Sequence, residues 1–323
     1  MIYRLVPIAF ILIIVLSTAK AFGQDNKSSN VYSGSIFKKD YNWQIYYSDM
    51  HAYYKLDLNN GCDQKIYSKE DVSLTYPAIS PDGRYLAFVN IDIDENKLFI
   101  IDLSSNKIVK SIVFKGIGQM SWSTKGYRLL FVASERNKDG RLFVLDIEAN
   151  KLEKLETGIK VKISRHSTPP VFMEKDKSVV FSGDDGFIYK YDLEDKALTK
   201  ILRGTNPIVL DSERIIYERD DGTYYGGIYF LRNLRTQEEK LVLKNVSLGV
   251  PIVSPEKEFL IYPKVSRENV LPFVPIKREV VNYYICDIQG KNIKKIHMGY
   301  AEFNWIGKQK DKRNIKKLNN IKF

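Results

Sequence analysis

An apolar strand ending in a hydrophobic–Asp–hydrophobic triplet recurs along this chain. It appears as Leu56-Asp57-Leu58, Ile101-Asp102-Leu103, Leu145-Asp146-Ile147, Tyr191-Asp192-Leu193 and Cys286-Asp287-Ile288, with a degenerate copy at Arg232-Asn233-Leu234. Successive marks stand 45, 44, 46, 41 and 54 residues apart. Self-similarity at that period requires a repeat architecture, in which each unit buries its apolar faces against its neighbours. Each mark leads into a polar turn, such as Ser104-Ser105-Asn106-Lys107, and then into a further strand.

A second mark precedes the first. In Pro77–Phe88 the run Ser80-Pro81-Asp82-Gly83-Arg84 reads as a tight turn between two strands, because Pro fixes φ and Gly supplies the left-handed position. Eroded copies follow at Trp122-Ser123-Thr124-Lys125-Gly126, Pro170–Phe181 and Pro251–Tyr262, with a weaker one over 208–217. Each unit is therefore four short antiparallel strands, A to D, and helix signals are few. Four-strand repeats of this length predict an all-β fold, a six-bladed β-propeller of four-stranded antiparallel blades. The first unit lacks its A strand, and Phe303–Lys308 resembles the Trp122 segment and then stops. The C-terminal strand is thus expected to join the N-terminal blade and close the ring, since an open ring would leave bare strand edges. A chain of 323 residues, 44% hydrophobic and rich in Tyr (21) and Phe (16), suits one such domain over 40–308.

The Ser-Pro-Asp-Gly repeats resemble the Pro-Asp relatives of WD repeats in the propeller of TolB, and similar repeats occur in prolyl oligopeptidase-type enzymes. The resemblance covers nearly all of 40–308. It implies the fold and leaves the activity open. TolB carries an α/β domain before its propeller and the peptidases carry a hydrolase domain; only 24–39 precede the repeats here, so the resemblance is to the propeller alone.

Residues 1–23 read as a secretory signal: Arg4, the apolar run Leu5–Leu16, then Ala19-Lys20-Ala21 before Phe22-Gly23. Twelve helical residues rise about 18 Å, short of a roughly 30 Å hydrocarbon core, so cleavage after Ala21 or Gly23 is preferred to an uncleaved anchor. The protein is expected in the periplasm or outside the cell. The net charge of +11 is concentrated at the C-terminus, where Lys308, Lys310, Lys312, Arg313, Lys316, Lys317 and Lys322 face only Asp311. In an exported protein such a basic tail (309–323) points to anionic lipid, polysaccharide or an acidic partner, or to a merely solvated end, and not to nucleic acid.

Two cysteines exclude a disulfide scaffold, and three histidines leave little for a multi-histidine metal centre. Cys62 and Cys286 read as separate thiols, a bond between neighbouring blades being the alternative. B–C and D–A loops share one face, and it is rich in carboxylates: Asp92, Asp94, Glu95, Glu135, Asp139, Asp184, Asp185, Asp220 and Asp221. Most read as hairpin turns rather than a calcium site. No metal or cofactor is expected.

The sixth B–C connection, 263–278, is the longest and is expected to be a loop. Its Leu271, Phe273, Val274 and Ile276, with His166 of the D–A connection, are the candidate contacts for an envelope or extracellular protein or peptide; the alternative is a loop folded back on its own blade. The expectation is a non-enzymatic binding module. Its rival is a carbohydrate-binding or lyase-type propeller, as in oligogalacturonate lyases, which needs His51, His166 and loop carboxylates to converge at the channel mouth; His297, on an outer strand, lies too far out.

Overall fold

The computed structural model describes residues 43–307, except 57–62, 70–71, 93–94, 135–138, 162–167, 220–225, 248, 272–273 and 299–301; the side chains of 43, 268–271, 274–278, 297–298 and 302–307 are also outside the description. The signal, the tail, Cys62, Phe273 and His166 therefore fall outside it. No helix occurs among the described residues.

Blade 1 contains β1 (Trp43–Ser48), β2 (Ala52–Leu56) and β3 (Asp63–Ser68). Blade 2 is β4 (Thr75–Ile79), β5 (Tyr85–Ile91), β6 (Asn96–Asp102) and β7 (Lys107–Phe114). Blade 3 is β8 (Gly116–Trp122), β9 (Arg128–Ser134), β10 (Arg141–Asp146) and β11 (Lys151–Lys154). Blade 4 follows as β12 (Val171–Met173), β13 (Ser178–Ser182), β14 (Phe187–Asp192) and β15 (Leu198–Arg203). Blade 5 is β16 (Thr205–Val209), β17 (Arg214–Arg219), β18 (Gly227–Asn233) and β19 (Glu239–Val246). Blade 6 is β20 (Ile252–Val253), β21 (Phe259–Leu271), β22 (Val274–Asp287) and β23 (Lys294–Met298). The last strand, β24 (Glu302–Gly307), pairs antiparallel with β1 from Trp43↔Gly307 to Ser48↔Glu302, so the first sheet runs β24-β1-β2-β3. All six sheets are four-stranded and antiparallel, as the repeat predicts.

Every B strand serves two cores, which is why these strands read as nearly continuous apolar runs. In β5, Leu86 and Phe88 face blade 1 while Ala87 and Val89 face blade 3. In β9, Leu129, Phe131 and Ala133 face blade 2 while Leu130 and Val132 face blade 4. In β21, Leu260 and Tyr262 face blade 5 and Ile261 faces blade 1. Six apolar clusters result among the described residues, one for each pair of neighbours. The cluster of Ile45, Tyr47 and Leu56 with Ile261, Tyr283 and Ile285 joins the last blade to the first. Each fully buried Phe or Tyr in such a core contributes about 1.5–3 kcal/mol.

The sequence marks are turn chemistry. Ser80 donates its backbone N–H to Tyr85 O, and its Oγ accepts from Tyr85 N, both at 2.8 Å; Gly83, at φ 74°, returns an N–H to Ser80 O. Ser123 and Ser254 hold the equivalent turns of blades 3 and 6, and all three serines are fully buried. The repeated aspartates cap the C–D turns, as expected of repetition around a scaffold. Asp192 Oδ1 accepts from Glu194 N and Asp195 N at 2.9 Å, and Asp287 Oδ1 from Gln289 N and Lys291 N. The degenerate copy performs the same task with an amide, Asn233 Oδ1 accepting from Arg235 N and Thr236 N.

Asp102 is the most heavily bonded of them. The Ser104 hydroxyl, the Arg84 guanidinium and the Ser104 N–H hold its carboxyl down at about 2. A depressed carboxyl contributes stability that is complete above pH ~4 and is lost as pH falls towards ~2. Asp102→Asn should therefore flatten the acid limb of the stability profile, since the amide oxygen still caps the turn as Asn233 does. Urea midpoints measured from pH 7 to pH 2.5 would show it; parallel profiles for the two proteins would refute it.

Candidate functional site

The 263–278 segment departs from expectation. It is no loop: β21 and β22 continue for 13 and 14 residues as one hairpin, paired from Phe259↔Asp287 through Lys264↔Asn282 and Arg267↔Glu279 to Leu271↔Val274. β20 pairs only with Leu260 and Ile261, and β23 reaches no further than Asn282, so beyond that point the ribbon pairs, among the described residues, with itself alone. Eight residues from Lys264 to Leu271 extend it by about 26 Å. Pro263 and Pro275 read as loop signals, yet a ribbon with bare outer edges loses no ladder bond to a proline. β-branched Val265, Val270, Val274, Ile276, Val280 and Val281 supply the strand preference.

The base of this arm is fixed to the ring. Val265 N donates to Ser247 Oγ at 3.1 Å, and the buried Asn282 donates Nδ2–H to Ser266 Oγ at 2.6 Å. Arg267 and Glu279 face each other at 3.4 Å on the exposed stem. Backbone pairing places Leu271, Val274 and Ile276 at the far end of the arm, and Phe273 lies outside the described residues. The tip sequence Val270–Ile276 holds no charge.

Of the loop carboxylates, Glu95, Asp139 and Asp185 are engaged locally. Glu95 pairs with Lys115 at 3.8 Å and Asp139 with Lys160 at 3.1 Å. Asp185 accepts from the Tyr189 hydroxyl at 2.5 Å and from Phe187 N, with Lys200 at 3.7 Å. Asp94, Glu135, Asp220 and Asp221 lie outside the described residues. His51 is exposed in the β1–β2 turn, where its backbone N–H donates to Asp49 Oδ1 at 2.9 Å. His297 falls on the outer strand β23, opposite Tyr283. Among the described residues no three His, Cys, Asp or Glu side chains come together to hold a metal ion.

Cys286 is a free, buried thiol, and burial pushes it up to about 12. It packs with Tyr229, Leu231 and Val242 in the core shared with blade 5, whereas Ile285 faces blade 1. The alternative bond to the Cys62 side would need the opposite face of the strand. Trp122 of blade 3 stacks on Tyr85 of blade 2 at 6.0 Å and donates Nε1–H to Ala78 O at 2.9 Å. The side chain of Trp305 is outside the description.

Two fasteners between blades have no counterpart in the sequence reading. At the blade 3–blade 4 boundary, Asp176 accepts from Thr124 N (3.0 Å) and Thr124 Oγ1 (2.7 Å), while Arg128 reaches its backbone oxygen at 3.2 Å. At the blade 4–blade 5 boundary, Asn206 accepts from Thr168 N at 2.8 Å, donates its backbone N–H to Ser182 Oγ at 2.9 Å, and donates Nδ2–H to Glu218. Tyr229 OH also donates to Glu218, at 3.2 Å. Beside them, a Cβ added at Gly227 would displace the Glu218 carboxylate from these bonds. Asn206 stands at φ 51° in a bulge before Pro207, and Tyr76 repeats this at φ 52° before Pro77. The shared Thr-x-Pro at 75–77 and 205–207 was the available signal.

This geometry has parallels among solved structures. TolB from Acinetobacter baumannii superposes with a TM-score of 0.63 at 20% identity, over 83% of this chain and 67% of that one. The protein is a six-bladed β-propeller structurally similar to TolB. A chain of a nidogen–laminin complex matches this propeller with a TM-score of 0.54 at 8% identity, over 81% of this chain and 98% of that one. An oligogalacturonate lyase in complex with manganese matches it at 0.51 and 12% identity, over 68% and 70%. No protein-family model matches the sequence, and no curated protein does. At these identities the likeness establishes the fold.

Proposed function

We propose that this chain is a non-enzymatic binding module of the cell envelope, presenting B–C and D–A loops to a protein or peptide partner. The observation that supports this is the arm: a ring-anchored ribbon whose sequence turns wholly apolar at its far end. Two isolated strands are only marginally stable in water, so an occupant that covers the ribbon stabilises it. Two prolines near the ends of the apolar stretch lower the ordering cost of binding. On this reading the propeller is exported by 1–23, and the basic tail, with Lys308, Lys310, Lys312, Arg313, Lys316 and Lys317, tethers it to anionic lipid or polysaccharide.

The test is crosslinking capture from the protein's own cell envelope, read by mass spectrometry. The pair Glu268↔Arg278 gives a clean place to cut. Replacing 269–277 by Asn-Gly leaves a two-residue hairpin turn on an intact stem. We expect one dominant partner with the full chain, at least ten-fold less with the shortened arm, and thermal unfolding within a few degrees of the parent. Equal capture by both would remove the arm from the function. An empty capture with the full chain would overturn the protein-partner reading in favour of a glycan.

A further inference from the structure

The outer strand of blade 2 differs from its counterparts. β7 ends the order β4-β5-β6-β7, so the N–H and C=O groups along its far edge have no strand beside them. Outer strands β11, β15 and β19 each expose one large apolar side chain, Leu152, Leu198 and Leu241; β7 exposes three, Ile108 (50%), Val109 (44%) and Val113 (45%). Bare edges are normally guarded by charge, because they template pairing with another chain. β7 has two lysines and no acid. The Lys110 ammonium is drawn off the edge to Asn150 Oδ1 on blade 3, at 2.5 Å.

The cause is visible in the neighbouring blade. The C–D pairs of blades 1, 4, 5 and 6 each contain a one-residue bulge, at Ile66, Ile201, Val242 and Ile296, and each of these side chains packs into the core shared with the following blade. Val109 is the equivalent residue of blade 2, between the pairs Ile100↔Lys110 and Ile101↔Ile108. Blade 3, which follows, has an outer strand of only four residues, paired without a bulge. Val109 is left at the surface.

We propose that the edge of β7 is a second docking surface, separate from the arm, which takes an extended peptide strand by strand addition. Backbone bonds along the edge supply affinity, and alternate side chains supply selectivity. Apolar side chains of the incoming strand cover Ile108 and Val113. Acidic ones meet Lys107, at the start of the strand, and Lys97, opposite Val113 with its ammonium over the Phe99 ring at 5.3 Å. Among the described residues neither lysine has an ion pair, so the surface favours a strand that is both apolar and acidic.

The test uses a random octapeptide display library against the full chain and against Lys107→Glu/Val113→Glu, both exposed sites, with thermal unfolding as a control. The expected result is enrichment of peptides alternating apolar residues with Asp or Glu, at least ten-fold weaker on the double variant and unchanged by shortening the arm. N-methylating the enriched peptide one amide at a time should weaken binding to the parent protein at every second position. Amide exchange over 107–114 should slow when the peptide is added. No enrichment, binding indifferent to the double variant, or uniform tolerance of N-methylation would overturn the proposal. So would a dimer of the parent that Val113→Glu dissolves, which would assign the edge to a second copy. Equal envelope capture by the full chain and the shortened-arm chain, with intact peptide binding, would remove the arm from the function and leave this surface standing.

Discussion

A chain ending before Glu302 is expected to lose its cooperative unfolding transition. All six residues of β24 pair with β1, and β24 also lies against β4 of blade 2 and β20 of blade 6. Removing it bares an inner edge of β1 and takes away a strand that lies against both neighbouring blades. A domain is stabilised by only ~5–15 kcal/mol in total, so the loss of a whole inner strand consumes most of that margin. Urea denaturation should show either no transition or a midpoint at least ~2 M lower. Ending the chain after Lys308 keeps every described strand, and its unfolding free energy should stay within ~0.5 kcal/mol of the full chain. A truncation before Glu302 that unfolded like the full chain would show that β24 does not hold the ends together.

The second large effect is expected at Asp176. Its carboxylate is 3% exposed and receives two bonds from Thr124, with the Arg128 guanidinium 3.8 Å away. Asp176→Ala leaves those donors inside the boundary between blades 3 and 4 without an acceptor, which costs about 3 kcal/mol. Asp176→Asn keeps one acceptor oxygen and tolerates the left-handed backbone at φ 69°, so it should cost about half as much. A double-mutant cycle with Arg128→Ala should return a coupling of about 1 kcal/mol or more. Equal costs for Ala and Asn would mean that the turn backbone, and not the carboxylate, joins the blades.

Asp176 also marks where the repeat becomes hard to read. Ser80, Ser123 and Ser254 are legible because each holds its own turn; the partner lies within five residues and the same geometry returns in the three copies that keep the serine. The aspartate marks are legible for the same reason, and Asn233 shows that an eroded copy can retain the bond. Asp176 sits in the corresponding turn of blade 4, where Glu174, Lys175 and Asp176 all stand at positive φ, and its partners Thr124 and Arg128 belong to the blade before, about 50 residues back. Nothing in its own repeat names them. Asn206 is similar, since its bonds to Thr168, Ser182 and Glu218 cross a blade boundary.

The arm shows the limit from the other side. Its prolines and lack of repeat pairing read as a loop, because proline disfavours a strand that has neighbours. The tertiary structure supplies no neighbour beyond Pro263, and the penalty disappears. Cys286 illustrates a related point: strand alternation says that it and Ile285 face opposite ways, but only the order of blades around the ring says that the thiol meets blade 5. Sequence by itself determined the repeat, the six blades, the four strands of each and the turn chemistry, all of which depend on contacts within a few residues. The fasteners between blades, the face on which each side chain is buried, the ribbon of the arm and the bare edge of β7 were decided by tertiary structure. Each depends on what a neighbouring blade places opposite, or fails to place there.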